Sequence, residues 1–308
     1  MNVGLYYYRV YDYIIETNYC CEYMIKAIEC DFAKLKIIKV VISTYEISSS
    51  AIEKNRFRYR MYNNLFQGQW NDIAFEADLR NFIISVRAAD RDEAFLFTLN
   101  VPLAVLISHD EKIVLHCSCV CDNKTVYGFS GSKGIGKSTL CSFFAYRNGQ
   151  IFSDDTICID IKAMRIYSNY MVEKYTLETV QALNNLYRDY MDLLSLYHGK
   201  RIKKLEYAGG YRDLSVLHIN YLFRGSEFAK VEVDNKNAKA ELLKNNIVGY
   251  KYADKNLQIL VENNIKKVFD YCDLSTSILY IPFCNLFDAQ ELLCNLESLI
   301  FADKLTRS

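Results

Sequence analysis

Strand-like patterns dominate the first third of the chain. Tyr, Ile, Val and Phe recur in the segments 5–15, 34–44, 56–62 and 81–88, which alternate with polar stretches. Such β-branched and aromatic runs are typical of half-buried strands. The chain then becomes continuously apolar over residues 94–107. We therefore predict a β-rich N-terminal region over residues 1–105, which shapes a substrate entrance, forms a dimer contact or caps the rest of the protein.

The rest of the chain, residues 106–308, alternates predicted strands with predicted helices. Short apolar or alternating runs predict strands at 112–121, 124–130, 151–161, 214–223, 228–233 and 275–282. Apolar residues at helical spacing predict helices at 138–147, 237–244, 257–271 and 288–301, and one long helix or two short ones over 173–197. Arg224-Gly225-Ser226 predicts a hairpin turn between two of these strands. This alternation indicates an α/β fold for a second domain over residues 106–308.

Composition and charge are those of a globular protein. The 308 residues are 51% apolar and 24% charged, and 37 basic residues balance 37 acidic ones. The charge balance argues against a nucleic-acid partner held by bulk electrostatics. The longest apolar stretches are far shorter than the roughly 20 residues that span a bilayer, so no membrane is expected. Eleven cysteines and an N-terminus unlike a secretory signal predict a reducing compartment, by default the cytoplasm.

Cys117, Cys119 and Cys121 alternate along one predicted strand and raise the question of a metal. Alternate strand residues lie about 6.6 Å apart. Two thiolates on one zinc ion are closer to about 4 Å apart. We therefore interpret these cysteines as core residues, with metal ligation as the alternative.

Residues 131–138 fit the pattern G-x-x-x-x-G-K-[ST] without a mismatch, between a predicted strand and a predicted helix. Glycines let such a loop take positive φ angles and turn backbone N–H groups toward phosphate oxygens. Lys137 is expected to reach the β and γ phosphates, and Ser138 to place its hydroxyl on Mg²⁺. The predicted nucleotide-binding residues are Gly131, Ser132, Lys133, Gly134, Ile135, Gly136, Lys137, Ser138 and Thr139. The alternative is a glycine-rich turn without chemical function.

Two adjacent carboxylates, Asp154 and Asp155, interrupt the apolar run 151–161. Charges in such a run are costly unless they are paired or bound to a metal. Because successive strand residues point to opposite sides, one carboxylate is expected near Mg²⁺ and the other near the attacking group. The alternative is an edge strand with two solvated aspartates. His116, on the strand that hairpins into the loop, is either carried to the same site or is a core histidine.

Together these segments resemble the C-terminal catalytic domain of HPr kinase/phosphorylase and its small relatives. The matching segments are 115–120 (LHCSCV), 129–140 (FSGSKGIGKSTL) and 152–155 (FSDD). In that family a histidine precedes the loop by one hairpin and an aspartate pair follows it by one helix, as in this chain. The resemblance implies a P-loop kinase core of HPr-kinase type, a mixed sheet with flanking helices, that uses ATP and Mg²⁺.

The resemblance also implies roles for individual residues. Lys137 and the loop amides hold ATP, and Ser138 and Asp155 attend to Mg²⁺. Asp154 is the general base, with His116 beside it. Relatives assemble through this core, which leaves a homo-oligomer open.

Two departures from the family concern the phosphate acceptor. Thr139 stands where members that act on HPr have a glutamate, and no glycine-rich basic segment follows the aspartates. The implied acceptor is therefore the serine of a peptide or small protein, for example a biosynthetic precursor peptide, rather than HPr. A free small-molecule alcohol is an alternative acceptor.

Two other functions are compatible with the loop: a P-loop ATPase that couples hydrolysis to motion, and a nucleotide-gated binding module. Transport ATPases carry a Leu-Ser-Gly-Gly-Gln type segment, which this chain lacks. A pure binding module would not need Asp154 and Asp155. Lys200, Arg201, Lys203 and Lys204 precede a predicted strand and either form a solvated face or reach the transferring phosphoryl group.

Overall fold

The computed structural model describes residues 4–21, 24, 26–44, 57–122, 125–148, 150–169, 173–175, 195–197, 200–203, 210–272, 274–282 and 300. They form a mixed α/β protein with a β-rich N-terminal region, which confirms the predicted class. The division at residue 105 falls inside the helix Val101–Ser108. It stays a prediction.

Seven of the described N-terminal strands form one mixed sheet. They are β1 Tyr6–Val10, β2 Tyr13–Thr17, β3 Lys36–Thr44, β4 Phe57–Tyr62, β5 Leu65–Trp70, β6 Ile73–Asp78 and β7 Ile83–Ala88. Their order is β1-β2-β3-β7-β6-β5-β4, with β3 parallel to both of its neighbours. The sequence did not predict β5 and β6. A hint lies at Asn63-Asn64, which join β4 to β5 with φ of 46° and 64°, because asparagine tolerates this conformation in hairpin turns.

A second sheet carries the C-terminal part of the chain. Its described strands are β8 Lys112–Cys121, β9 Val126–Gly131, β10 Gln150–Ser153, β11 Thr156–Asp160, β12 Arg165–Ser168, β16 Tyr211–Asp213, β17 Leu217–Gly225, β18 Ala229–Glu232 and β19 Ser275–Pro282. The main path runs β16-β12-β11-β8-β9-β17-β19-β18, and β10 also pairs with β8. The predicted strands 112–121 and 275–282 are confirmed at the same bounds, and β8 and β9 form the predicted hairpin.

The described helices are α1 Glu29–Phe32, α2 Arg91–Thr98, α3 Val101–Ser108, α4 Lys137–Asn148, α5 Lys236–Asn245 and α6 Lys255–Tyr271. The apolar run 94–107 becomes α2 and α3, and Asp90 caps α2 by accepting from the N–H groups of Asp92 and Glu93. Helices α4, α5 and α6 confirm three predictions within two residues at each end. None of the helices in the described ranges is long and apolar enough to cross a membrane.

The predicted hairpin at Arg224-Gly225-Ser226 is wrong. Strand β19 lies between β17 and β18, parallel to β17 and antiparallel to β18. Burial explains the order: β18 is largely exposed and takes the sheet edge, whereas β19 is more buried and takes the interior place. The predicted strand 214–223 also begins later, because Leu214–Val216 forms a 3₁₀ turn.

The predicted helix 173–197 is wrong at both ends, where the chain forms β13 Glu173–Tyr175 and β14 Ser195–Tyr197. The residues between these strands lie outside the described part. Lys200–Lys203, the described part of the basic cluster, forms the strand β15, which lies between β13 and β14. Lys204, the segment 205–209 and most of the predicted helix 288–301 lie outside the described residues.

The last residues of β8 pack in two different apolar clusters. Cys117, Cys119 and Cys121 belong to the large cluster that also contains the N-terminal sheet, which confirms their interpretation as core residues. Val120 belongs to a smaller cluster with Leu140 and other residues of α4. Sγ of Cys117 lies 3.6 Å from Sγ of Cys119, so the strand spacing was a poor guide to the sulfur positions. Burial, with Cys117 beside it, raises the pKa of the Cys119 thiol well above its ordinary value.

Candidate active site

The loop between β9 and α4 has the backbone that its glycines predict. Gly131, Gly134 and Gly136 have φ of 147°, 80° and 108°, which disfavours any side chain. A Cβ on Gly131 would lie 2.8 Å from the carbonyl oxygen of Leu222 in β17, so this glycine also permits close packing. A Cβ on Gly134 or Gly136 would meet no atom of the described residues within 4 Å. None of these residues fills the space next to the two glycines.

This loop fits a phosphate group. Helix α4 begins at Lys137, so the positive end of its dipole faces the loop. Lys137 is largely buried, and its Nζ donates to the carbonyl oxygens of Gly131 and Ser132 at 3.0 and 3.2 Å. Ser132 and Lys133 are exposed, Ile135 packs into the smaller cluster, and Thr139 lies in the first turn of α4. The cation, helix start and glycine backbone together form an anion cradle.

The two aspartates lie in a tight turn between β10 and β11, and both strands pair with β8. We call Asp154-Asp155-Thr156 the carboxylate turn. The N–H of Thr156 donates to the carbonyl oxygen of Asp154 at 2.9 Å, and Asp155 has a φ of 71°. A hydrogen bond across one residue with positive φ defines the rare, strained form of the γ-turn. Strain of this kind on a residue other than glycine concentrates at functional sites.

Asp154 points into the protein, toward the start of α4. Its side chain is largely buried, and Ser118 Oγ donates to its Oδ1 at 2.8 Å. The same Ser118 Oγ lies 3.4 Å from Ser138 Oγ. The three side chains therefore form a short polar row from the carboxylate turn to the loop. A carboxylate and a serine hydroxyl are suitable oxygen ligands for Mg²⁺.

Asp155 is the more exposed of the two aspartates and lies close to His116. Its side chain is 35% exposed, and its Oδ1 lies 3.6 Å from Nε2 of His116, whose side chain is 42% exposed. The backbone of His116 is held on both sides. Its N–H donates to the carbonyl oxygen of Asn246, and its carbonyl accepts from Ser130 Oγ. The histidine and the more accessible carboxylate thus lie together on the solvent side, so His116 is not a core histidine.

A network of buried polar groups holds the carboxylate turn through hydrogen bonds. Ser153 Oγ donates to the carbonyl oxygen of Thr156 at 2.7 Å and lies 2.9 Å from Asn169 Oδ1. The Asn169 amide donates to the carbonyl oxygen of Asp154 and to Thr156 Oγ1. On the other side, the carbonyl of Asp155 accepts from the N–H of Cys117 in β8. The backbone N–H and carbonyl groups named above therefore all have a hydrogen-bond partner within the protein.

The supporting residues of the site were not predicted from the sequence. A signal for Ser118 was available, because it lies two residues after His116 on the same strand and therefore on the same face. Ser153 adjoins the aspartate pair and could have been included with it. Asn169 follows β12, and no local pattern in the sequence connects it to the turn.

Comparisons with known proteins add little to this geometry. No family model matches the sequence, and no curated protein matches it. A solved structure that resembles the chain is the Hpr(Ser) kinase/phosphatase from Coxiella burnetii. The match covers 63% of this chain and 92% of that one, at 12% identity and a TM-score of 0.29. Because that score is too low to transfer an activity, we base the function on this chain's own residues.

Proposed function

We propose that the protein is an ATP- and Mg²⁺-dependent phosphotransferase that acts on a hydroxyl group. The observation that carries the proposal is the carboxylate turn, which points one aspartate toward Ser138 and the other toward His116. Phosphoryl transfer needs positioning, cationic stabilisation and a carboxylate near the acceptor rather than covalent chemistry by the protein. The anion cradle and the two carboxylates can supply these requirements.

We assign the two aspartates in the opposite way to the family resemblance. Asp154, buried beside Ser118 and Ser138, would help to hold Mg²⁺, which when bound neutralises the phosphate charge. Asp155, accessible and next to His116, would face the acceptor. The Asp155 carboxylate would accept the hydroxyl proton while the acceptor oxygen forms a bond to the γ phosphorus. The bond from that phosphorus to the β-phosphate oxygen breaks, and ADP leaves.

The acceptor that we propose is the serine of a peptide or small protein, in the cytoplasm. It follows from the resemblance to the small HPr-kinase-like proteins and from Thr139, which replaces the glutamate of members that act on HPr. The side chains of His116 and Asp155 are 42% and 35% exposed, so both are accessible from solvent. A homo-oligomer remains part of the proposal.

Substitution of each aspartate by asparagine tests the function and the assignment of roles. Asp155→Asn should slow transfer from γ-labelled ATP, to water or to seryl peptides, by about 10²- to 10⁴-fold because the base is lost. Its affinity for Mg·ATP should stay within about twofold of wild type. Asp154→Asn should weaken Mg²⁺-dependent nucleotide binding by about 10- to 100-fold, the range found when the surroundings of a metal site are altered.

The matched control is Asp122→Asn, because Asp122 directly follows the last residue of β8 and accepts from the N–H of Thr125. It should match wild type in both measurements. Wild-type protein that binds no Mg·ATP would refute the proposed function. Normal transfer by Asp155→Asn together with lost transfer by Asp154→Asn would restore the roles that the resemblance implies.

A further inference from the structure

The first hairpin of the N-terminal sheet reaches the carboxylate turn directly. Its two-residue loop, Tyr11-Asp12, is closed by the paired residues Val10 and Tyr13. The Tyr11 side chain is buried, and its hydroxyl oxygen lies 2.8 Å from Thr156 Oγ1. Thr156 is the residue whose N–H closes the carboxylate turn. One side-chain hydrogen bond thus connects the N-terminal region to the residue after Asp155.

The backbone of this loop indicates that Tyr11 is present for its side chain. Its φ is 54°, a conformation that hairpin loops usually give to Gly, Asn or Asp and that is unfavourable for a bulky residue. The second loop residue is used in a similar way. The carboxylate of Asp12 accepts from Nζ of Lys112 in β8 at 2.7 Å. Both residues of the loop therefore contact the second sheet.

The Tyr11 hydroxyl belongs to the same buried network of hydrogen bonds that includes Ser153 and Asn169. Thr156 Oγ1 also accepts from Asn169 Nδ2, the amide that holds the carbonyl of Asp154. Burial raises the pKa of Tyr11, and the negative charge of Asp155 adds to that effect, so the phenol stays neutral. Without it, the Thr156 hydroxyl would lose a partner in a site that water does not reach, which is costly.

We propose that Tyr11 is a positioning residue for the carboxylate turn, so that the N-terminal hairpin forms part of the active site. The expected effect on catalysis rests on the proposed function. The hydrogen-bond connection from Tyr11 through Thr156 to the turn does not depend on that function. The N-terminal region accordingly has a role other than substrate recognition alone. Through Thr156 it helps to hold the turn that carries Asp154 and Asp155.

The test compares Tyr11→Phe with Tyr13→Phe in the full-length protein. Tyr13 is a suitable control because it lies in the same hairpin, is equally buried and donates a 2.8 Å hydrogen bond to Asp110, whose carboxylate also binds Lys36. Each variant loses one hydroxyl and no ring. The measurements are amide hydrogen exchange in the segment 153–157, Mg·ATP affinity and the rate of γ-phosphate release to water.

Tyr11→Phe should exchange about three- to tenfold faster in this segment, the effect of losing one buried hydrogen bond. Phosphate release should fall about tenfold, with Mg·ATP affinity within about twofold of wild type, because misplaced groups slow the chemical step more than they weaken binding. Tyr13→Phe should match wild type in all three. Thr156→Val also removes the acceptor of Asn169, so its effect should be at least as large as that of Tyr11→Phe. Adding Tyr11→Phe to Thr156→Val should have no further effect.

Equal exchange in the two tyrosine variants would overturn the coupling. Faster exchange in Tyr11→Phe with an unchanged rate of phosphate release would overturn the positioning role. Failure of the proposed function is seen separately, as wild-type protein that binds no Mg·ATP. In that case the exchange measurement still decides whether Tyr11 holds the turn.

Discussion

At the scale of single residues, positive φ angles mark where the backbone is shaped for the site. Glycine is needed at positions 131 and 134 for different reasons: Gly131 packs against β17, whereas Gly134 has a positive φ and no described residue against it. Asp155 and Tyr11 adopt positive φ despite their side chains, and both lie within the same polar network. The surrounding contacts must therefore compensate for local strain of about 1–3 kcal/mol at such positions.

Alanine substitutions should separate the two kinds of glycine. Gly131→Ala forces a Cβ to within 2.8 Å of a backbone oxygen and should lower the free energy of unfolding by about 1–3 kcal/mol. In Gly134→Ala the new Cβ meets none of the described residues within 4 Å, so the positive φ alone should lower the free energy of unfolding by about 1–2 kcal/mol, while nucleotide affinity drops sharply. Urea denaturation and nucleotide titration check both. Unchanged affinity in Gly134→Ala would contradict the anion cradle.

At the scale of elements, the Tyr11-Asp12 loop and β8 meet through a buried charge cluster. Lys112 contacts the carboxylates of Asp12 and Asp160, and the side chains of Lys112 and Asp160 are each less than 10% exposed. Charges with so little access to water are stable only as a set. This cluster lies beside the hydrogen bond of Tyr11 and fixes where the loop docks on β8.

Lys112→Met should destabilise the protein by about 3–5 kcal/mol, because two carboxylates would be left without their cation in a poorly hydrated place. The control is Lys36→Met, which breaks the ion pair between Lys36 and Asp110. The side chain of Lys36 is 50% exposed. That variant should lose no more than about 1 kcal/mol. Denaturant midpoints measure both, and equal losses would contradict the importance of burial.

At the scale of the whole molecule, the two sheets share one core. A single cluster of buried apolar residues includes Tyr8, Ile38 and Ile84 of the N-terminal sheet together with Ile113, Ile159 and Leu217 of the second sheet. Helix α3 contacts both β6 and β8. A core that crosses the boundary predicted at residue 105 couples the stability of the two parts.

The protein should therefore unfold in one transition. The single tryptophan of the chain, Trp70, lies in β5 and stacks on Phe97, so its fluorescence reports on the N-terminal sheet. Labelling of the buried Cys158 thiol in β11 reports on the second sheet. The two probes should give the same urea midpoint. Midpoints more than about 0.5 M apart would show that the two parts unfold separately.

Much of the site could be predicted because its signals are local. The glycine pattern, the adjacent aspartates and β8 all come from neighbouring residues, whose spacing and turn preferences are readable without a partner. The separate roles of the two aspartates were harder to predict from the sequence. They depend on which side chain faces Ser118 and which faces His116, and the γ-turn at Asp155 decides that.

The sequence by itself determined the anion cradle, the carboxylate pair and most elements around them, because short-range backbone preferences and periodicity encode these features. Only the tertiary structure decided that β19 separates β17 from β18 and that Tyr11 reaches Thr156. These contacts join residues far apart in the chain, and their choice depends on burial. Strands whose two faces are both apolar take the interior positions of a sheet, where both faces are buried, whatever their order in the sequence.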